Sequence, residues 1–147
     1  MMKIRPSAGH DLPHVMEIWR RAVDATHHFL SPEDRVAIEA ELSTFLPQVS
    51  LTLAVDQSDR PLGFMFLHDG HMEALFIHPD HHGQGIGTAL VAEALARHPE
   101  LTTDVNEQNS QAIGFYQRLG FERIGRSDKD GQGRPYPLLH LRFRPAA

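Results

Sequence analysis

Glycine stands at every second position in Gly83-Gln84-Gly85-Ile86-Gly87, a spacing whose chemistry is anion binding. Glycine lets the backbone turn sharply and leaves successive N–H groups uncovered by side chains. Ile86, Leu90, Val91, Ala94 and Leu95 then fall on one helical face, so the run opens a helix. N–H groups at a helix start have no partner inside the helix, and the positive end of the helix dipole adds to them. The stretch therefore predicts a cradle for a phosphate or pyrophosphate. It is not a P-loop, because the lysine of Gly-x-x-x-x-Gly-Lys-Ser/Thr is missing. Nor is it a dinucleotide fingerprint, which would need glycine or alanine where Leu90 stands, and a strand at the chain start leading straight into the loop. On the loop alone, a glycine-rich turn without a ligand is the remaining alternative.

The other chemistry-bearing residues are eleven histidines, among them His78, His81 and His82, and the pair His27-His28. A dedicated zinc site adds cysteine or carboxylate ligands at regular spacing on defined elements. These histidines fall in expected loops and read as solvated loop residues, so no metal is expected. Cysteine is absent. No acyl group can be parked on a thiol, which favours direct attack within a ternary complex.

The elements that must position the loop follow from periodicity. Met2 to Pro6 reads as a strand, and Asp11 as the cap of a helix with Val15, Ile18, Trp19, Ala22 and Val23 on its buried stripe. Ser31 caps a second helix with Pro32 at its first position and Ile38, Leu42, Phe45 and Leu46 as its apolar face. Leu51–Asp56 and Leu62–Leu67 read as a hairpin, and Asp69-Gly70 turns the chain into the strand Met72–Ile77. After the loop and its helix, Leu101–Val105 should return parallel to Met72–Ile77. Asn109 or Ser110 caps a helix that Gly120 ends, and Phe121–Gly125 and Leu138–Phe143 close the sheet.

At 147 residues the chain predicts one domain, residues 1–147, of the layered α/β class. Net charge is −5 and no Lys/Arg stripe exists, which argues against nucleic acid. No apolar run approaches the ~20 residues of a membrane span, and the N-terminus has no signal-peptide core. With no cysteine, the expected compartment is the cytoplasm.

Two stretches together resemble a known family. Ala74-Leu75-Phe76-Ile77, stopped by Pro79 and followed by His82-Gly83-Gln84-Gly85-Ile86-Gly87, is similar to the pyrophosphate loop of the GNAT superfamily of N-acetyltransferases. That family's pattern is Arg or Gln, two residues, Gly, one residue, then Gly or Ala; the departure is His82. The run from Asn109 to Phe121 resembles the second GNAT signature, Asn-x-x-Ala-x-x-Phe-Tyr-x-x-x-Gly-Phe, in the order and spacing of the family. The segments around Trp19 to Leu30, Asn106 to Asn109 and Pro135 to Leu139 look like its bacterial YjaB-type branch.

The resemblance implies a mixed, mostly antiparallel central sheet with a splayed parallel strand pair, flanked by helices, and acetyl-coenzyme A as cosubstrate. It implies that the backbone of Leu75, Phe76 and Ile77 pairs with the pantetheine arm. The amides of Gly83, Gln84, Gly85, Ile86, Gly87 and Thr88 would hold the pyrophosphate, with His82 beside it. Asn109 would hydrogen-bond the arm, and Tyr116 would sit near the sulfur and protonate the departing thiolate, as a phenol of pKa ~10 can at neutral pH. Histidine, unlike arginine, is mostly neutral at pH 7, so His82 predicts retained but weaker coenzyme binding.

The attacking amine must be neutral, and Glu73 is the first candidate base, with His27, His28 and His140 as weaker ones. Glu17 or Asp24 could receive a cationic amine. The acceptor, a small-molecule or protein amine, would be chosen by Asp24, His27, His28 and Phe29 and by the closing strands around Tyr136. The expectation is an N-acetyltransferase, monomeric or homodimeric. Its rivals are a non-catalytic acetyl-CoA-binding sensor and a metal-binding protein built on the histidines.

Overall fold

In a computed structural model, the apolar alternation and helical stripes become seven strands and four α-helices; the structure describes residues 2–145. The strands are β1 (Lys3–Pro6), β2 (Thr52–Val55), β3 (Pro61–His68), β4 (His71–Ile77), β5 (Thr102–Asn106), β6 (Phe121–Ser127) and β7 (Leu138–Phe143). The helices are α1 (Leu12–Thr26), α2 (Pro32–Phe45), α3 (Ile86–Arg97) and α4 (Ser110–Leu119). The sheet order is β1-β2-β3-β4-β5-β7-β6. The pairs β1/β2, β2/β3, β5/β7 and β6/β7 are antiparallel. β4 and β5 run parallel, in register at His71↔Thr102 and Met72↔Thr103, as expected of a strand pair joined through a helix. The mixed sheet expected from the sequence is the one observed.

The chain forms two compact units, one reaching to Phe66 with Ala74–Val91, the other Leu67–Glu73 with the chain from Ala92 onward. The first has a core of Val15, Ile18, Trp19 and Val23 from α1 against Leu53, Val55 and Phe64 from β2 and β3. The predicted α1 stripe is thus the buried one. α2 contributes less: Ile38 and Leu42 are half-buried against this core, and Phe45 is 42% exposed, edge-on to Phe66 at 5.5 Å. Ser31 caps α2 as expected, accepting from the Asp34 amide at 3.1 Å.

Asp11 behaves differently from expectation. Its carboxylate makes no cap bond to α1. Instead it accepts from both Arg5 terminal nitrogens at 2.9 Å and from the Ala8 amide at 2.8 Å, buried at 2% exposure. A guanidinium offers two parallel charge-assisted bonds, which outbid a single backbone amide.

In the second unit, Leu101, Val105, Leu139 and Leu141 are buried on one sheet face. An edge-on ladder of rings runs Phe115–Tyr116–Phe121–Phe143, with centroids 5.1, 5.3 and 5.4 Å apart. α4 starts at Asn109, whose side chain accepts from the Ala112 amide, and ends at Gly120 with φ +109°.

Candidate active site

In the first unit, the loop after β4 does what alternate glycines permit. Gly83 and Gly85 both take positive φ, +80° and +79°, a region that favours glycine. Built Cβ atoms at either would meet nothing within 4 Å, so the backbone, not crowding, requires glycine. The first helical bond of α3 is Ala89 N–H to Gly85 O at 3.0 Å. The N–H groups of Ile86, Gly87 and Thr88 therefore have no carbonyl within the helix, and they face the positive end of its dipole.

Gly63 was not singled out by its sequence context. A Cβ there would stand 2.8 Å from Ile77 Cδ1, 3.1 Å from Ile86 Cγ2 and 3.1 Å from the Phe76 carbonyl oxygen. Its missing side chain lets the first residue of α3 and the backbone of β4 close on β3. Leu75, Phe76 and Ile77 are half-buried, and the Phe76 ring lies 5.6 Å from Phe64.

Of the histidines at this end, His82 is exposed as expected, whereas His78 is held in place. His78 caps the single turn Pro79–His81 by accepting from the Asp80 amide at 3.1 Å, and its side chain is only 14% exposed. His82 closes that turn, its amide donating to the Pro79 carbonyl at 3.2 Å. Among the described residues no group of three or more His, Asp or Glu is placed to hold a metal ion.

The segment after α1 is also fixed. Thr26 donates its hydroxyl proton to the Ala22 carbonyl at 2.8 Å and lies 2.6 Å from Nδ1 of His27, which must then donate. That leaves Nε2 of His27 as the acceptor nitrogen. Its ring stands 5.2 Å from Phe29 and 6.4 Å from Phe76, and burial pushes its pKa down, keeping it neutral. His28 contacts the Ala25 carbonyl at 3.0 Å. Asp24 is bound by Arg35 at 2.7 and 3.2 Å.

In the second unit, Tyr116 is 6% exposed and hydrogen-bonded to the Thr103 side chain. Thr103 donates its own proton to the Met72 carbonyl at 2.8 Å. Burial pushes the Tyr116 phenol well above its ordinary pKa, with the Thr103 hydroxyl acting the other way. Glu73 on β4 is 46% exposed, with Oε1 4.0 Å from Nε2 of His71. Tyr136 is buried at 7% exposure, following the polar turn that Asp130 ties to Arg134.

A glycine-rich strand-to-helix turn and a mixed sheet with one parallel strand pair are the architecture of an acyl-coenzyme A transferase fold. The family model described as the acetyltransferase (GNAT) domain matches residues 48–123. The chain is 53% identical over 141 residues to the peptidyl-lysine N-acetyltransferase YjaB of Salmonella typhimurium, covering 96% of this chain and 97% of that protein. The solution structure of apo-form YjaB from Escherichia coli superposes with a TM-score of 0.95 at 50% identity, covering 99% of each chain. The PaiA N-acetyltransferase of Thermoplasma acidophilum, solved in complex with coenzyme A, shares the fold at a TM-score of 0.78 and 20% identity, over 97% of this chain and 99% of that one. The chain belongs to the GNAT acetyltransferase family, in its YjaB-type branch. It is an enzyme, an N-acetyltransferase that takes its acetyl group from acetyl-CoA.

Proposed function

We propose that the acceptor is the side-chain amine of a peptidyl lysine, and that it attacks the thioester directly. Near-full-length likeness to a peptidyl-lysine N-acetyltransferase, at 53% identity, is the observation that carries the acceptor class. Direct attack is supported by the absence of any cysteine to carry the acyl group. Residues 1–147 act as one acetyltransferase domain; Met1, Ala146 and Ala147 lie outside the described residues. We place the enzyme in the cytoplasm, as a monomer or homodimer. No helix among the described residues is long and apolar enough to cross a membrane.

The residue roles follow from the chemistry each group can do. The amides of residues 83 to 88 hold the pyrophosphate, and most of that binding is backbone, so His82 in place of arginine weakens it without abolishing it. The backbone of Leu75, Phe76 and Ile77 pairs with the pantetheine arm as an added strand, and Asn109 hydrogen-bonds that arm. Glu73 takes the amine's proton. The nitrogen attacks the acetyl carbon, the C–S bond breaks, and Tyr116 gives its proton to the thiolate. His27, His28, Phe29, Asp24 and Tyr136 form the acceptor-selecting set.

The test offers the enzyme acetyl-CoA with an N-terminally blocked peptide carrying one lysine, the same peptide with a free N-terminus and no lysine, and spermidine. Thiol release with acetylation of the lysine peptide, at least ~10-fold faster than with the other two, is the expected result. Preferential acetylation of either of the others overturns the acceptor assignment.

A further inference from the structure

Where α1 ends, one imidazole of the first unit is fixed everywhere except at a single nitrogen. The His27 amide donates to the Val23 carbonyl at 2.8 Å, and the His27 carbonyl accepts from the Leu30 amide at 3.2 Å. Leu30 packs against the first unit's core, so the turn that carries His27 is anchored at both ends. The ring is half-buried beside Phe29 and Phe76, and its Nδ1–H donates to the Thr26 hydroxyl. Phe76 and Ala74, two residues apart on β4, both pack against that same core, as strand alternation requires.

The other nitrogen, Nε2, has no hydrogen-bond partner among the described residues. It is not an enclosed atom either, since no enclosed side-chain nitrogen or oxygen among them lacks a partner. A lone pair thus opens at the edge of an aromatic cluster. The neighbouring polar groups offer nothing equivalent. Both Asp24 oxygens are taken by Arg35, at 2.7 and 3.2 Å. The exposed His28 spends its Nε2 on the Ala25 carbonyl at 3.0 Å, a contact that only a protonated nitrogen satisfies.

We propose that His27 receives the attacking amine: its Nε2 accepts one N–H of the lysine side chain, whose apolar stem lies along Phe29 and Phe76. This deepens the peptidyl-lysine reading and rests on it. The chemistry favours an imidazole over a carboxylate. A carboxylate holds an amine as its ammonium, which has no lone pair. A neutral imidazole accepts one hydrogen of the uncharged amine and leaves the nitrogen's lone pair free to attack. The aromatic surroundings act the same way, because burial disfavours the charged form of an amine. Burial and the neighbouring His28 both push the His27 pKa down, so the ring itself stays neutral at neutral pH. Phe76 connects the two substrates: its ring lies 6.4 Å from that of His27, and its backbone belongs to the strand assigned to the pantetheine arm. His27 orients the nitrogen and neither gains nor loses a proton in the reaction.

The test measures kcat/KM for the blocked lysine peptide, and KM for acetyl-CoA, in wild type, His27→Phe and His27→Gln. Phenylalanine keeps a ring beside Phe29 and Phe76 without a nitrogen, and glutamine returns an accepting oxygen near the place of Nε2. His27→Phe should lose ~10-fold or more in kcat/KM for the peptide, about one hydrogen bond's worth, with KM for acetyl-CoA within about twofold of wild type. His27→Gln should recover part of that loss. Wild-type efficiency in His27→Phe, or a glutamine variant no better than the phenylalanine one, overturns the role of His27 and leaves the acceptor class standing. A wild type that acetylates spermidine or a free N-terminus but not the lysine peptide overturns the acceptor class, and this inference with it. Independently of any variant, ¹⁵N spectra of the wild type should show a neutral His27 ring with Nδ1–H and a bare Nε2. That Nε2 resonance should move when the lysine peptide is added to saturation in the presence of coenzyme A. A protonated Nε2, or a resonance that the peptide leaves in place, contradicts the proposal.

Discussion

Burial holds the phenol of Tyr116, ringed by Phe115 and Phe121, in its protonated form, which suits the proton-donor role proposed for it. Asp11 shows the opposite shift for the opposite reason. The Arg5 guanidinium holds its carboxyl at about 2, against an ordinary value of ~3.9. A carboxylate lowered in the folded state contributes stability that is present above its unfolded pKa and lost as pH falls through the folded one. Asp11→Asn should therefore cost about 2 kcal/mol at neutral pH. Its penalty should shrink as pH drops from ~4 toward 2 in urea unfolding curves. A pH-independent penalty would mean the pair's charge is not what stabilises.

At the scale of elements, β3 and β4 form the platform from which the glycine loop starts. Gly63→Ala would force Ile77 and the Phe76 carbonyl to move, so it should destabilise by about 1–3 kcal/mol. Acetyl-CoA binding, read by isothermal titration, should weaken ~10-fold, about one hydrogen bond's worth. Unchanged affinity would separate β4's position from binding. Gly83, Gly85, Asn109 and Gly120 were legible because their requirement is local: a positive φ or a cap shows in a few neighbouring residues. Gly63 was not, since the atoms it makes room for come from Phe76, Ile77 and Ile86. Asp11 was read as a cap because Arg5 reaches it only after the chain turns back through Ala8. Nor was the contact of Asp104 with His71 and His140 legible. It forms through a parallel pairing and an antiparallel one, with sequence separations of 33 and 36 residues.

For the whole molecule, the likeness to YjaB runs nearly end to end. Gly83, Gly85 and Gly87 lie in one compact unit, Tyr116 and Glu73 in the other. On the roles proposed for them, coenzyme binding and proton transfer should be separable by mutation. The decisive measurement is the turnover of Tyr116→Phe against wild type, at saturating acetyl-CoA and lysine peptide. Loss of the phenolic hydroxyl should lower kcat by ~10²–10⁴-fold, the range for a positioned general acid. A variant that turns over within a few-fold of wild type would contradict the assignment of Tyr116 as the acid that releases coenzyme A.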